Sequence, residues 1–375
     1  MLFPYKYITP HKLEKLQEYI DFIFYEVWCK APKHKSYGIQ LFESNKELFK
    51  IMDYLYRRDL AEESKKNQKQ MKKANKISSA RDFYQSVNEI FLLFCELSEA
   101  EIEKYKSYYS VNNNIEYLCL GIPEYEPITY DQLKKNSYNK LNNELERFFK
   151  GLYECSFSTL KQLNNIGSFT NYYKDFVKLN NEGVCPFCGL QPMDGINVNT
   201  REAFDHYLPK SKYPFNSINL KNLVPCCTKC NSSYKKDKDP LLDNQHSRRK
   251  VFYPFAINNY RLNVSITFKP NFNFSQLKNL QAEDITINFN LKDKEQEIEV
   301  WKELYGIDER YKDRLCQKNK GIYWAMQLLD ENQNIKKDIK KVLETLEKNV
   351  SIAPWAEDNF LKLAFYEGCE KSRLF

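Results

Sequence analysis

Cys185-Pro186-Phe187-Cys188-Gly189 and Cys227-Thr228-Lys229-Cys230 are two Cys-x2-Cys knuckles with 38 residues between them. Thiolates at i and i+3 can face one ion when the turn between them is tight. Two such knuckles supply the four sulfurs of a closed tetrahedral zinc site, with Zn–S bonds of about 2.3 Å. A site with no open position is structural, and it pins together the ends of the segment it encloses. A redox Cys-x-x-Cys or a chance pairing of buried thiols would need only one pair. Two pairs flanking a basic, polar segment favour zinc. In the doublet Cys226-Cys227 the second cysteine keeps the spacing, so Cys226 is assigned to packing. The remaining cysteines, Cys29, Cys95, Cys119, Cys155, Cys316 and Cys369, read as buried thiols of a reducing compartment.

Within the staple lies Phe204-Asp205-His206-Tyr207-Leu208-Pro209-Lys210. The chain has four histidines, His11, His34, His206 and His246, and His206 alone lies between the knuckles. Asn222-Leu223-Val224-Pro225 follows, then Cys230-Asn231-Ser232-Ser233-Tyr234-Lys235. This order, Cys-x2-Cys, Asp-His, Asn-Leu, Cys-x2-Cys-Asn and then Lys, resembles the zinc-bearing HNH endonucleases over about 65 residues. It departs from the literal letters at the last position, where Asn231 stands in place of histidine.

The resemblance implies a ββα-metal module, a β-hairpin followed by a helix, that hydrolyses phosphodiester bonds in DNA. His206 would be the general base. Asp205 and Asn231 would hold a catalytic Mg²⁺, for which Mn²⁺ can substitute. Asn222 would tie the long loop to the hairpin and orient His206. The products would carry 3′-hydroxyl and 5′-phosphate ends. Elementary chemistry agrees with these roles. A neutral imidazole suits activation of water near physiological pH. A hard divalent ion suits carboxylate, amide and phosphate oxygens, and acts as a Lewis acid at the departing oxygen. Neighbours on a strand point to opposite sides, so Asp205 can face the metal while His206 faces the water. Lys235, one helical turn beyond Asn231, is expected to touch phosphate. Lys210 and Lys212 are either backbone contacts or ordinary loop lysines. Tyr207 and Tyr213 are expected to pack rather than stack on bases, and Arg248 and Arg249 are backbone contacts or solvated. Two other readings stand beside this one: a non-catalytic zinc module that only binds nucleic acid, and a nuclease acting on RNA. HNH enzymes with large flanks also resemble bacterial defence nucleases, some of which work with an ATPase partner.

Charge is concentrated around this segment. The whole chain carries a formal +7. Asp205–Lys250 alone holds ten basic residues against four acidic ones, nearly the whole excess. Such a field suits a phosphate backbone or a solvated lysine-rich face. No apolar run approaches the roughly 20 residues that span a bilayer, and the N-terminus has no signal-peptide core, so a cytoplasmic protein without a membrane partner is expected.

At 375 residues, 42% of them hydrophobic, the chain has material for two or three structural units. The expected class is α+β, mainly helical, in three parts: a helical region 1–180, the stapled module 181–250, and a C-terminal region 251–375 of two strands followed by helices. Thr9-Pro10 is expected to cap a first helix with Leu13, Leu16, Ile20, Ile23, Phe24 and Val27 on one face. Phe83, Val87, Ile90, Phe91, Phe94 and Leu97 form a second stripe, and Leu141, Leu145, Phe148, Phe149 and Leu152 a third. Between the first two, Lys65, Lys66, Lys69, Lys72, Lys73, Lys76 and Arg81 mark a nucleic-acid contact or a solvated linker. Pro123, Pro127 and Asn112-Asn113-Asn114 mark irregular connections. Leu262, Val264, Ile266 and Phe268 alternate as a strand does, as do Ile285, Ile287, Phe289 and Leu291. Helical spacing returns at Ile298, Trp301, Leu304 and Tyr305, and at Ile335, Ile339, Val342 and Leu346.

Overall fold

The three apolar stripes of the N-terminal region all become core, and the way they pack fixes where the cysteine module sits. The structure is a computed structural model that describes residues 1–34, 36–63, 80–164, 166–180, 182–255, 260–328 and 338–374. The six lysines Lys65 to Lys76 of the basic stretch, the Cys155 side chain and Ile335 lie outside the described residues.

Helix α1, Lys15–Phe22, continues through a wider turn, Ile23–Trp28. A tight 3-10 turn, Lys12–Glu14, leads into it, and the cap of that turn is His11, not Thr9: the His11 ring accepts from the Leu13 amide at 3.0 Å, and Glu14 accepts from the His11 amide at 2.9 Å. That reciprocal pair satisfies two donors that a bare helix start would leave open. Helix α2, Lys46–Glu63, has no counterpart among the expected stripes. Its buried face, Leu48, Ile51, Met52 and Leu55, is interleaved with charged residues. Helix α3, Ala80–Phe94, is followed by α4, Glu99–Asn113, α5, Ile115–Leu120, and a single turn α6, Tyr130–Leu133. Helices α7, Asn139–Asn164, and α8, Phe169–Leu179, close the region. Arg147 of α7 reaches Asp82 of α3 at 2.7 Å, and the Trp28 indole donates to the Val87 carbonyl at 2.9 Å, so α1, α3 and α7 share one interior.

The asparagine run is not an irregular connection. Asn112 and Asn113 end α4, and Asn114 caps α5. The fully buried Asn112 amide donates to the Ile128 and Pro214 carbonyls at 2.8 and 3.1 Å and accepts from the Ile128 amide at 3.0 Å. Asn216 and Asn219 return the contact, donating to the carbonyls of Asn112 and Asn113 at 3.1 and 3.0 Å. The end of α4 is therefore bolted to the loop that follows His206.

Between the knuckles, β1, Phe204–His206, pairs antiparallel with β2, Leu223–Pro225, with Asp205 opposite Val224 and His206 opposite Leu223. A short helix of wide pitch, Lys229–Lys235, follows. The local order is thus strand, strand, helix. The alternating segments of the C-terminal region form β3, Asn263–Phe268, and β4, Ile285–Asn290, antiparallel over their full length. Helices α9, Glu295–Tyr305, α10, Ile307–Cys316, α11, Gly321–Met326, α12, Ile339–Ile352, and α13, Asn359–Lys371, complete the chain. A side chain at Gly368 would meet the Ile266 carbonyl at 2.5 Å, so glycine is what lets α13 lie on β3.

The architecture is mainly helical with two small two-stranded sheets. One apolar core runs through all three stretches of chain. Phe24 stacks on Tyr109 at 4.0 Å and meets Phe215 edge-on at 5.9 Å, while Val251 donates to the Cys119 carbonyl at 2.9 Å. Cys29, Cys119, Cys226 and Cys369 are buried, and Cys95 and Cys316 half-buried. Among the described residues no helix is long and apolar enough to cross a membrane. Asn112→Ala strands the Ile128 amide and removes both bonds to the carbonyls; the expected loss of stability is about 2–3 kcal/mol, read as a lowered midpoint in urea.

Candidate functional site

The Sγ atoms of Cys185, Cys188, Cys227 and Cys230 all lie within 4.8 Å of one another, and all four residues are buried. Cys188 and Cys227 are 4.0 Å apart at sulfur. Tetrahedral coordination with bonds of about 2.3 Å needs sulfurs roughly 3.8 Å apart, so the cluster is of the right size for one ion. Cys226 is buried beside the cluster but is not a member of it. Each knuckle is built by its own backbone. The amides of Cys188 and Gly189 both donate to the Cys185 carbonyl, and Gly189, at φ +64°, supplies the left-handed turn. The Cys230 amide donates to the Cys227 sulfur at 3.4 Å.

Four thiols this close cannot all ionise unaided. Burial pushes Cys185 and Cys230 well above the ordinary thiol range; the sulfur contacts add to it at Cys230 and pull in both directions at Cys185. Burial raises Cys188 too, but the hydrogen bonds from the other three sulfurs and the charge of Arg310 outweigh it and bring that thiol well down. Crowded, buried sulfurs oppose one another's ionisation, and an ion held among them would relieve that.

Distant parts of the chain hold the knuckles in place. The Leu2 amide donates to the Pro186 carbonyl at 2.9 Å, the Trp301 indole to the Phe187 carbonyl at 2.6 Å, and the Tyr311 hydroxyl to the Cys188 carbonyl at 2.8 Å. Arg310 donates from Nη1 to the Cys230 sulfur at 3.2 Å and to the Tyr305 carbonyl at 3.1 Å, with its guanidinium 4.9 Å from the Tyr234 ring centre.

His206 ends β1, half-buried, with Nε2 at 2.9 Å from the Ser217 carbonyl. Its ring meets the Tyr153 ring of α7 edge-on at 4.9 Å. Asn222, fully buried, accepts from the Leu208 amide at 2.7 Å and donates to the Leu208 and Asn216 carbonyls at 3.1 and 3.3 Å. The amide thereby closes the loop 207–222 on itself directly beneath His206. Inside that loop Phe215 adopts φ +79°, held by rings of Phe24, Tyr109 and Phe149. Such a backbone costs free energy, and here packing fixes it just before Ser217.

Comparison of the chain with protein-family models, curated proteins and solved structures returned no match. Its chemistry rests on its own residues.

Asp205 faces inward. Its Oδ1 accepts from Lys235 Nζ at 3.0 Å, and the same ammonium reaches the His206 carbonyl at 2.9 Å. Burial raises the Asp205 carboxyl above its ordinary range, against the opposing pull of Lys235. Oδ2 is buried with no hydrogen-bond partner. Lys235, expected at the phosphate face, is instead 0% exposed. A lysine one turn into so short a helix points back at the hairpin, and the buried carboxylate is its counter-charge. Asn231 sits half-buried on the first turn of that helix, its amide bonded to the Cys227 carbonyl at 3.0 Å.

Of the remaining basic residues, Lys210 is half-buried with its ammonium 5.2 Å from the centre of the Tyr153 ring, near His206. Lys212 instead lines a cleft of about 1020 Å³ whose walls mix acids such as Asp131, Asp237 and Glu303 with Lys150 and Arg248. His206 does not line that cleft, and its mixed charge does not suit a polyanion. Arg248 donates to the Arg249 carbonyl at 2.9 Å and to that of Leu118; Arg249 pairs with Glu303 at 2.6 Å. Both arginines are tied into the fold. Tyr207 and Tyr213 are buried, as expected of packing residues, and bond to the Phe252 carbonyl and to Asp239.

No sequence signal marks Arg310, Tyr153 or Ser217: Arg310 and Tyr153 are remote in the chain from the residues they touch, and none of the three lies in a motif. Two outcomes test the arrangement. Elemental analysis of the purified chain is expected to give one transition-metal ion per chain, retained by Cys226→Ala and lost by Cys227→Ser. Lys235→Met leaves a buried carboxylate uncompensated and is expected to cost about 3–5 kcal/mol, measured by chemical denaturation.

Proposed function

We propose that this chain is a metal-dependent endonuclease of the HNH type, hydrolysing DNA phosphodiester bonds on a ββα-metal module whose four cysteines hold a structural Zn²⁺. The observation that carries the reading is the bond between His206 Nε2 and the Ser217 carbonyl. A carbonyl oxygen only accepts, so the neutral ring making this bond has its proton on Nε2 and its lone pair on Nδ1. That is the form a general base requires, and the Asn222-closed loop holds it in one orientation. Zinc rather than a harder ion follows from the all-sulfur donor set.

A catalytic Mg²⁺ needs oxygen donors, and the unpartnered, buried Oδ2 of Asp205 is one. Asp205 through Oδ2 and Asn231 through its amide oxygen would hold the ion. When bound, it supplies charge relief on the phosphate and its departing oxygen. His206 takes the proton from the attacking water and passes positive charge to a ring already anchored through Nε2–H. Lys235 is the counter-charge of Asp205 and opposes the effect of its burial. Lys210, whose ammonium lies by the same Tyr153 ring that His206 meets, is assigned to the substrate backbone. A defence role with an ATPase partner is supported by the sequence resemblance alone.

The ammonium on Asp205 favours a second reading, a zinc module that binds nucleic acid without cutting it. Plasmid nicking with and without Mg²⁺ separates the two. The wild-type chain is expected to nick in Mg²⁺ or Mn²⁺. His206→Ala is expected to lose on the order of 10²–10⁴-fold in rate while keeping its zinc and its melting temperature. Cleavage by His206→Ala at the wild-type rate removes the histidine mechanism; retention of DNA without any metal-dependent nicking by wild type establishes the binding module. Parallel DNA and RNA substrates fix the polymer.

A further inference from the structure

We propose that Arg310 is the built-in counter-charge of the four-sulfur centre and sets how tightly that centre holds its ion. This rests on the reading of the cysteines as a metal site and adds a residue outside both knuckles to it.

Arg310 is 7% exposed, and a guanidinium does not lose its proton in a protein. A buried charge of this kind is strongly unfavourable unless an opposite charge meets it. Among the described residues its contacts are the Cys230 sulfur, the Tyr305 carbonyl and the Tyr234 ring, and no carboxylate is among them. The negative partner is the sulfur cluster. Four neutral thiols, or two disulfides, would leave the guanidinium uncompensated. Four thiolates around a divalent ion carry two net negative charges, and Arg310 halves that excess through an N–H···S bond.

The same side chain joins two functions of the module. Tyr234, under the guanidinium, lies in the helix Lys229–Lys235 together with Asn231 and Lys235. Arg310 comes from α10, so the C-terminal region contributes charge to the centre and not merely packing. Arg310 is therefore a positioning residue for the metal and, through Tyr234, for the helix.

The test uses the full chain loaded with Zn²⁺ and titrated against a chelator of known affinity, with the Co²⁺-loaded form read by its sulfur-to-cobalt absorption band. Arg310→Met removes the charge and keeps the stem. Arg310→Gln keeps an N–H donor without charge. Arg310→Lys keeps charge without the fork. Zinc binding is expected to weaken about 10–100-fold in the Met and Gln variants, with a displaced cobalt band, and to recover to within a few-fold of wild type in the Lys variant. If Met does not fold, Gln against Lys carries the comparison. Wild-type affinity and an unshifted cobalt band in Gln, or a Lys variant as weak as Gln, overturns the counter-charge role while leaving the metal site intact. A wild-type chain that binds no zinc overturns both.

Discussion

Four sulfur atoms within 4.8 Å of one another join the two ends of a segment that has little regular structure to hold it. Strands β1 and β2 are three residues each, and a two-stranded ribbon that short does not stand alone in water. The helix after them spans seven residues, below the length at which an isolated helix persists. An ion held by the cluster would supply, as a cross-link, what the hairpin and helix lack in hydrogen bonds. The N-terminus and helices α9 and α10 also meet here: Leu2, Trp301 and Tyr311 each use a knuckle carbonyl as acceptor. The staple thus orders the N-terminus and helices α9 and α10 as well as the segment it encloses.

A second constraint is made of amides. Asn112, Asn216, Asn219 and Asn222 are buried, and their side chains satisfy backbone groups across two regions of the chain. Such a network is strongly unfavourable if half satisfied and specifies one geometry when complete. It fixes the loop between the strands, including the carbonyl of Ser217, and so the plane of the His206 ring. Apolar packing alone would place that loop only to within the tolerance of rotating side chains. The directional bonds are what make an imidazole's two nitrogens inequivalent.

Much of this was readable in the chain itself. The stripes from Leu13 to Val27, Phe83 to Leu97 and Leu141 to Leu152 all become core, because helical periodicity reports burial directly. The alternation of Val264, Ile266, Ile285 and Ile287 became β3 and β4 for the same reason. The Cys-x2-Cys spacing was legible because the geometry of one ion imposes it. Helix α2 was hidden by its charged faces. Asn112-Asn113-Asn114 misled because asparagine favours turns locally, whereas here its amide is used in tertiary bonds that no local window contains. Lys235 misled for a related reason: charge implies exposure unless a partner thirty residues earlier is buried with it. Arg310, eighty residues from Cys230, belongs to the same class.

Cys230 and Asn231 are adjacent in sequence yet serve different centres. The Cys230 sulfur enters the staple, while Asn231 opens the turn whose far end, Lys235, reaches back to Asp205. Adjacent residues thus belong to the four-sulfur cluster and to the groups proposed for chemistry. Any slackening at the sulfur end moves that turn as a unit. Positioning errors of about 1 Å at a reacting centre cost on the order of 10²-fold in rate. Under the proposed function the sulfur centre would govern the oxygen site without touching it, through the short helix that carries Cys230, Asn231 and Lys235 together. The division also explains the donor chemistry. Sulfur would close the first site against water and substrate, and under the proposed function the oxygens of Asp205 and Asn231 would be left for a harder ion.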